Sequence, residues 1–317
     1  MPRFFLSILI SSLVLFSSCG KDEDDIKNAI DQANNLLTTR ECSAALAELN
    51  KVPYQPLNSR FIQTYSSAYA CLAGFSEITF FTSDVDRIAS GNTTFLPSLS
   101  LFSTSAISAS TAASYTNLQT AINTILYAGN VTTSSHTSRA AVFGADVAGN
   151  MEVQALYMLL AQIGPYVYLH GNPDTLGRKG TRDTPETNNC FTDYTTAAAQ
   201  AAVTAAGASI SPCTDGNYND GHSELKNGAA NRKQYLCEGA VMFNNFFDII
   251  TNVTFGSTSN SGSIGSLSDN LSNLCTAGGL GAVCTVKDQA TCESASVTIQ
   301  DLELYFIAVY ELMLTDS

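Results

Sequence analysis

The stretch Met151-Glu152-Val153-Gln154-Ala155-Leu156-Tyr157-Met158-Leu159-Leu160-Ala161-Gln162-Ile163-Gly164-Pro165-Tyr166-Val167-Tyr168-Leu169 reads as a helix that is apolar on nearly every side. A helix with one polar face lies on a surface, whereas one with almost none is surrounded by protein. Residues 145–169 are therefore expected at the centre of the molecule, kinked at Pro165 because proline cannot donate to the helical ladder. Two further segments match it. Residues 230–252 carry Leu236, Ala240, Val241, Phe243, Phe246, Phe247 and Ile250, and residues 297–315 carry Leu302, Leu304, Tyr305, Ile307, Ala308 and Leu312. These three helices suit one shared core.

Outward from that core the three-and-four spacing persists. It appears in 112–128 and 192–206, and in an N-terminal series of Ile26, Ala29, Ile30, Ala33, Leu36 and Leu37. Cys42, Ala45, Leu46 and Leu49 continue that series until Pro53, and 59–80 follows with the stripe Phe61, Ile62, Tyr65, Ala68, Tyr69, Leu72 and Phe75. No alternating strand pattern is sustained, although 252–255 has the composition of a short edge. The fold class is all-α: a single helical domain over 26–317, with possible sub-halves 26–170 and 171–317. Polar loops at 171–190, 207–221, 253–266 and 277–296 are long for helix connections, which marks them as pinned or functional.

Before all of this stands a different signal. Arg3 leads into an apolar run from Phe4 to Phe16, followed by Ser17, Ser18, Cys19 and Gly20. At about 1.5 Å per residue the run rises only about 20 Å against a hydrocarbon core of about 30 Å, so it suits a cleaved export signal better than a span. Phe16-Ser17-Ser18-Cys19 resembles the lipobox of bacterial lipoproteins, with Phe16 in the usual leucine position. That resemblance implies removal of residues 1–18, covalent lipid on the Cys19 thiol, and an acylated tether over 19–25. Two or three fatty chains would hold the protein at a membrane where one anchors only marginally. Gly20 resembles the outer-membrane-sorted class of cell-envelope lipoproteins, on either face of that membrane.

The Cys42-to-Cys71 step, with Leu36, Ala45 and Leu49, resembles one tetratricopeptide repeat over 26–80, although the usual Trp start is absent. The resemblance implies TPR-like antiparallel helix pairs at the N-terminus. It also implies kinship with envelope lipoproteins that accompany TRAP-type solute transporters.

With Cys19 acylated, Cys42, Cys71, Cys190, Cys213, Cys237, Cys275, Cys284 and Cys292 remain, an even set suited to an oxidising compartment. Cys42 and Cys71 are expected to pair, since their helices should be neighbours. The six later cysteines are expected to pair among themselves, in an order the spacing leaves open, and so to pin the long loops of the C-terminal half.

Formal charge is −13, and loss of residues 1–18 removes only Arg3, making it −14. Such a surface repels nucleic acid and anionic lipid. The densest basic group, Arg178, Lys179 and Arg182, reads as a solvated loop. Attachment is thus expected through lipid, with an envelope protein as partner.

Chemical motifs are sparse. No GxSxG, HExxH, P-loop or GxGxxG occurs, nothing calls for a cofactor, and no metal set stands out. His136, His170 and His222 lie in polar or turn settings that favour solvent-facing roles. Asp215, Asn217 and Asn219 resemble the start of a calcium loop, but Asp220 and Lys226 replace its Gly and its bidentate Glu, so an Asn/Gly turn is the better reading. Glu152, Glu303 and Glu311 are candidate buried acids for a hydrolase, with helix-surface carboxylates the plainer account. The expected function is a non-catalytic binding or scaffold protein; the alternatives are that hydrolase, or a carrier of an apolar ligand held among the aromatics of 151–169 and 230–252.

Overall fold

The computed structural model describes residues 19–86, 95–177, 179, 189–206, 213, 218–252, 275 and 280–311, of which 19–21, 95, 96, 206 and 281 are described by backbone only. The chain is all-helical, with no strand among the described residues. Three helices open it: α1 (Cys19–Thr38), α2 (Cys42–Leu49) and α3 (Ser59–Leu72). Asn58 starts α3 by accepting from Phe61 N at 3.1 Å, covering a donor the first turn cannot satisfy. Gly74 stops it: at φ +84° it lets Phe75 N reach Ala70 O at 3.0 Å in a Schellman closure. The helix expected over 59–80 therefore ends eight residues early and resumes as α4 (Glu77–Thr79) with a π turn at Phe80–Asp84.

Next come α5 (Phe95–Ser100), α6 (Ala113–Leu126), α7 (His136–Phe143) and the central α8 (Ala145–Gly171). α9 (Ala197–Ala206), α10 (Arg232–Asn252), α11 (Gln289–Glu293) and α12 (Ile299–Phe306) complete the set, and α12 continues as a π turn over Ile307–Glu311. Asn252 closes α10, so it begins no strand edge; residues 253–255 lie outside the described set. Part of the loop expected over 277–296 is helical, since it contains α11 and a 3-10 turn at Gly281–Cys284.

α8 lies at the centre, packed against α5, α6, α7 and α10. It runs through Pro165 to Gly171 as one helix. Close packing also shapes this region. A Cβ on Gly164 would stand 2.5 Å from the Leu99 carbonyl oxygen, and one on Gly239 of α10 would stand 2.7 Å from the Tyr166 hydroxyl. Both glycines let a neighbour's atoms into space a side chain would fill. The Tyr166 hydroxyl donates to Tyr235 O at 2.8 Å, tying α8 to α10.

Most buried residues belong to one core that crosses residue 170, joining Ile122, Leu159 and Tyr166 to Phe243, Tyr305 and Tyr310. The conceivable halves 26–170 and 171–317 thus share an interior. A smaller core of Ile30, Ala33, Ala45, Leu49, Phe61 and Ala68 lies between α1, α2 and α3. Cys42 bonds Cys71 across that unit, and the six later cysteines bond among themselves as Cys190–Cys213, Cys237–Cys292 and Cys275–Cys284.

Candidate functional site

Glu152, Glu303 and Glu311 are fully buried, not surface carboxylates, and each belongs to its own bonded set. Glu152 on α8 accepts from Arg139 Nε at 2.7 Å and lies 2.7 Å from His136 Nδ1. Arg139, itself buried, also reaches the Leu126 carbonyl at 3.0 Å and so ties α6, α7 and α8 together. Glu303 accepts from Arg232 at 2.9 Å and from both backbone N–H groups and both hydroxyls of Thr195 and Thr196. Burial alone would raise its carboxyl, but those bonds outweigh burial and hold it below the usual carboxylate range. They also explain why α9 begins at Ala197 instead of near 192. Glu311 is bonded by Lys179, by the Tyr194 hydroxyl at 2.6 Å and by Phe191 N at 2.6 Å. Lys179 is therefore a buried counter-charge and not part of a solvated basic loop; Arg178 and Arg182 lie outside the described residues.

These acids brace the fold. A buried ion pair must satisfy its remaining lone pairs and protons to offset desolvation, and all three are surrounded by further donors. Of the aromatics of 151–169 and 230–252 considered for an apolar channel, Tyr166, Phe243 and Phe246 are fully buried, with ring centroids 6.2 Å apart for Phe243 and Phe246, while Tyr235 is part exposed.

Open space lies elsewhere. A cleft of about 360 Å³ separates α6 from α10, walled by Tyr115, Thr116 and Ile122 on one side and Tyr235, Glu238 and Met242 on the other. Tyr115, Ile122 and Met242 of these walls are also members of the main core, so the cleft is sunk into that core. Glu238 is the ionisable group that distinguishes this cleft. Burial pushes its carboxyl up to about 7, against a lowering contribution from the Tyr115 hydroxyl and with a further push from the charge of Glu224. Burial also holds the Tyr115 phenol well above its ordinary range, so it remains a neutral donor.

At the edge of the cleft, Ser110 donates from Oγ to Glu224 at 3.0 Å. Glu224 lies 3.1 Å from His170 Nε2 on the last turn of α8, and its backbone N donates to His222 Nδ1 at 3.3 Å. His170 and His222 are buried, contrary to the solvent-facing setting expected of them; their rings meet edge to face at 4.9 Å. Burial lowers the His170 pKa, opposed by Glu224, while the bond from His170 lowers that of Glu224. A neutral His170 donating to an ionised Glu224 satisfies both directions. Sequence reading missed this trio and Glu238. The one local signal was His222 two residues before Glu224.

Of the calcium candidates, Asn219 lies in a turn, and Asp215 and Asn217 lie outside the described residues. Cys19 opens α1, and its side chain lies outside them too. Cys190, Cys213 and Glu311 also cluster, but the two sulfurs are joined to each other. No helix among the described residues is long and apolar enough to cross a membrane. No protein-family model matches the chain, and neither a curated protein nor a solved structure does.

Proposed function

We propose that the protein is a lipid-anchored, non-catalytic binding protein of the bacterial cell envelope, held by fatty chains on Cys19 and taking its ligand or partner segment at the α6–α10 cleft. The cleft carries this reading. Its volume of about 360 Å³ falls within the range of small-ligand sites, roughly 300–1,000 Å³, and its lining sets apolar Ile122, Leu159 and Met242 among polar Thr116, Gln119, Glu238 and Gln289. The hydrolase alternative drew on Glu152, Glu303 and Glu311, and each of these is occupied by its own cation and donors. The apolar-channel alternative drew on the aromatics of 151–169 and 230–252, of which Tyr166, Phe243 and Phe246 fill the core while Tyr235 lines this same cleft. α1–α3, with Ala33 and Ala45 at their contacts, are read as TPR-like packing that presents the anchored end to an envelope partner.

Two measurements test this. Mass spectrometry of the mature protein should find a diacylglyceryl group on the thiol of Cys19, and Cys19→Ser should release the chain from membranes; an unmodified thiol overturns the anchoring. A photo-crosslinking residue at Thr116, exposed on the cleft wall, should give a defined adduct in envelopes that the same residue at exposed Leu57 does not give. Identical adducts at both positions would remove the cleft from the proposal.

A further inference from the structure

We infer that His170, His222 and Glu224 form a binding site for a zinc-class divalent cation, a role separate from lipid anchoring and from occupancy of the cleft. Each of the three offers a ligand atom, and these atoms lie within 4.8 Å of one another. Two imidazoles and one carboxylate are the donor set of open zinc and related first-row sites, in which three protein groups leave a position for water or substrate. Imidazole nitrogens weigh against calcium and magnesium, which take oxygen. Around a tetrahedral centre with bonds near 2.0–2.1 Å, ligand atoms stand about 3.4 Å apart. His170 and Glu224, at 3.1 Å, are already at that spacing. The remaining closure falls to His222 and to the Glu224 side chain, which is 28% exposed and whose carboxylate would give up its bond to His170 while keeping that to Ser110.

The frame behind the site is rigid. His170 sits on the last turn of α8, the most enclosed helix of the fold. The segment bearing His222 and Glu224 is held on both flanks: Gly221 N donates to Asp193 Oδ1 at 3.0 Å, His222 N to Phe191 O at 3.2 Å, and Leu225 O accepts from Thr192 Oγ1 at 2.8 Å and Arg232 Nε at 2.9 Å. Cys190 N bonds Asp220 O at 3.1 Å, so the Cys190–Cys213 bridge steadies the same stretch. Pinning of this kind pre-positions ligands. Ser110 Oγ, bonded to the Glu224 carboxylate, is the outer partner that metal-binding carboxylates usually have. Charge agrees: the deep acids Glu152, Glu303 and Glu311 each face an Arg or Lys, whereas Glu224 faces two imidazoles, with a second acid, Glu238, near enough to feel its charge. A dication would balance that pair.

The test uses the untagged, oxidised full chain, treated with chelator and then titrated with Zn²⁺ alone by calorimetry. Co²⁺ in its place reports coordination through its visible absorption. One Zn²⁺ should bind per chain, and Glu224→Gln and His222→Asn should each weaken it by more than the roughly 10–100-fold loss expected for Ser110→Ala, an outer partner. All three variants should melt near the wild-type temperature in chelator, and Zn²⁺ should raise the melting temperature of wild type far more than that of Glu224→Gln. Absence of Zn²⁺ uptake by wild type, or equal affinity in wild type and Glu224→Gln, would overturn the inference.

Discussion

Glu238 shows at the scale of one residue how burial sets a working pH. Its carboxyl titrates at about 7 in the folded chain against 4.5 ordinarily, so the unfolded state ionises first as pH rises. The folded-state pKa is raised, so the stability linked to this group is fully present below about pH 4.5 and is lost as pH climbs through about 7. The loss is about 3 kcal/mol. Urea unfolding in chelator should show that decline in wild type and a flatter profile between pH 5 and 8 in Glu238→Gln. Equal slopes would show that the carboxyl is not perturbed. The lowered carboxyls of Glu303 and Glu224 act in the opposite sense and below this window, contributing stability that disappears as acid protonates them. At this scale the sequence is least legible. Glu303 and Glu311 have the spacing of any helix-surface acid, and their burial is decided by Arg232 and Lys179, 71 and 132 residues away in the chain. His170 and Glu224 likewise meet across 54 residues, a distance over which no local pattern carries information.

The helices themselves were readable because burial of one face imposes a period that sequence displays directly. The apolar girth of 151–169 correctly implies a central helix, and the 113–126 and 232–252 segments fall where their stripes indicate. Ends are harder. Gly74 ends α3 inside the helix expected over 59–80, and the late start of α9 depends on Glu303 taking the N–H groups of Thr195 and Thr196, a tertiary event. Two glycines of α8 separate helix propensity from packing. Ala at Gly149, with nothing within 4 Å of the new Cβ, should stabilise by about 0.5–1 kcal/mol. Ala at Gly164 meets Ser105 Oγ at 2.4 Å and the Leu99 carbonyl oxygen at 2.5 Å, so the same propensity gain should be reversed, with a net loss of about 1–2 kcal/mol. Thermal melts of the two variants should move in opposite directions, and a shared direction would refute the packing argument.

For the whole molecule, the even cysteine set anticipated the bridges and the Cys42–Cys71 pair, but the pairing of the six later cysteines required the fold. The four bridges differ in access. Cys190, Cys213, Cys237 and Cys292 are fully buried, whereas Cys42, Cys71, Cys275 and Cys284 are part exposed. Exchange needs an attacking thiolate to reach sulfur. Under mild reductant, mass tagging should label the Cys42–Cys71 and Cys275–Cys284 pairs first and the other two only as the chain unfolds; simultaneous labelling of all eight would contradict the burial pattern. The overall architecture also has a seam. α1 and α2 pack chiefly on each other and on α3. α3 sends Phe61 and Ala68 into the small core and Ile62 and Ala70 into the large one, and Ser66 Oγ bonds the Ala121 carbonyl of α6 at 2.8 Å. α3 is therefore the strut that joins the N-terminal end to the body, and Gln154 of α8 grips it too, donating to Gln63 O at 3.3 Å and to Ser67 Oγ at 2.9 Å. Tension applied at the N-terminal end would pass along α3 into both α6 and α8, and α6 is the beam that holds Tyr115 and Thr116 beside the void.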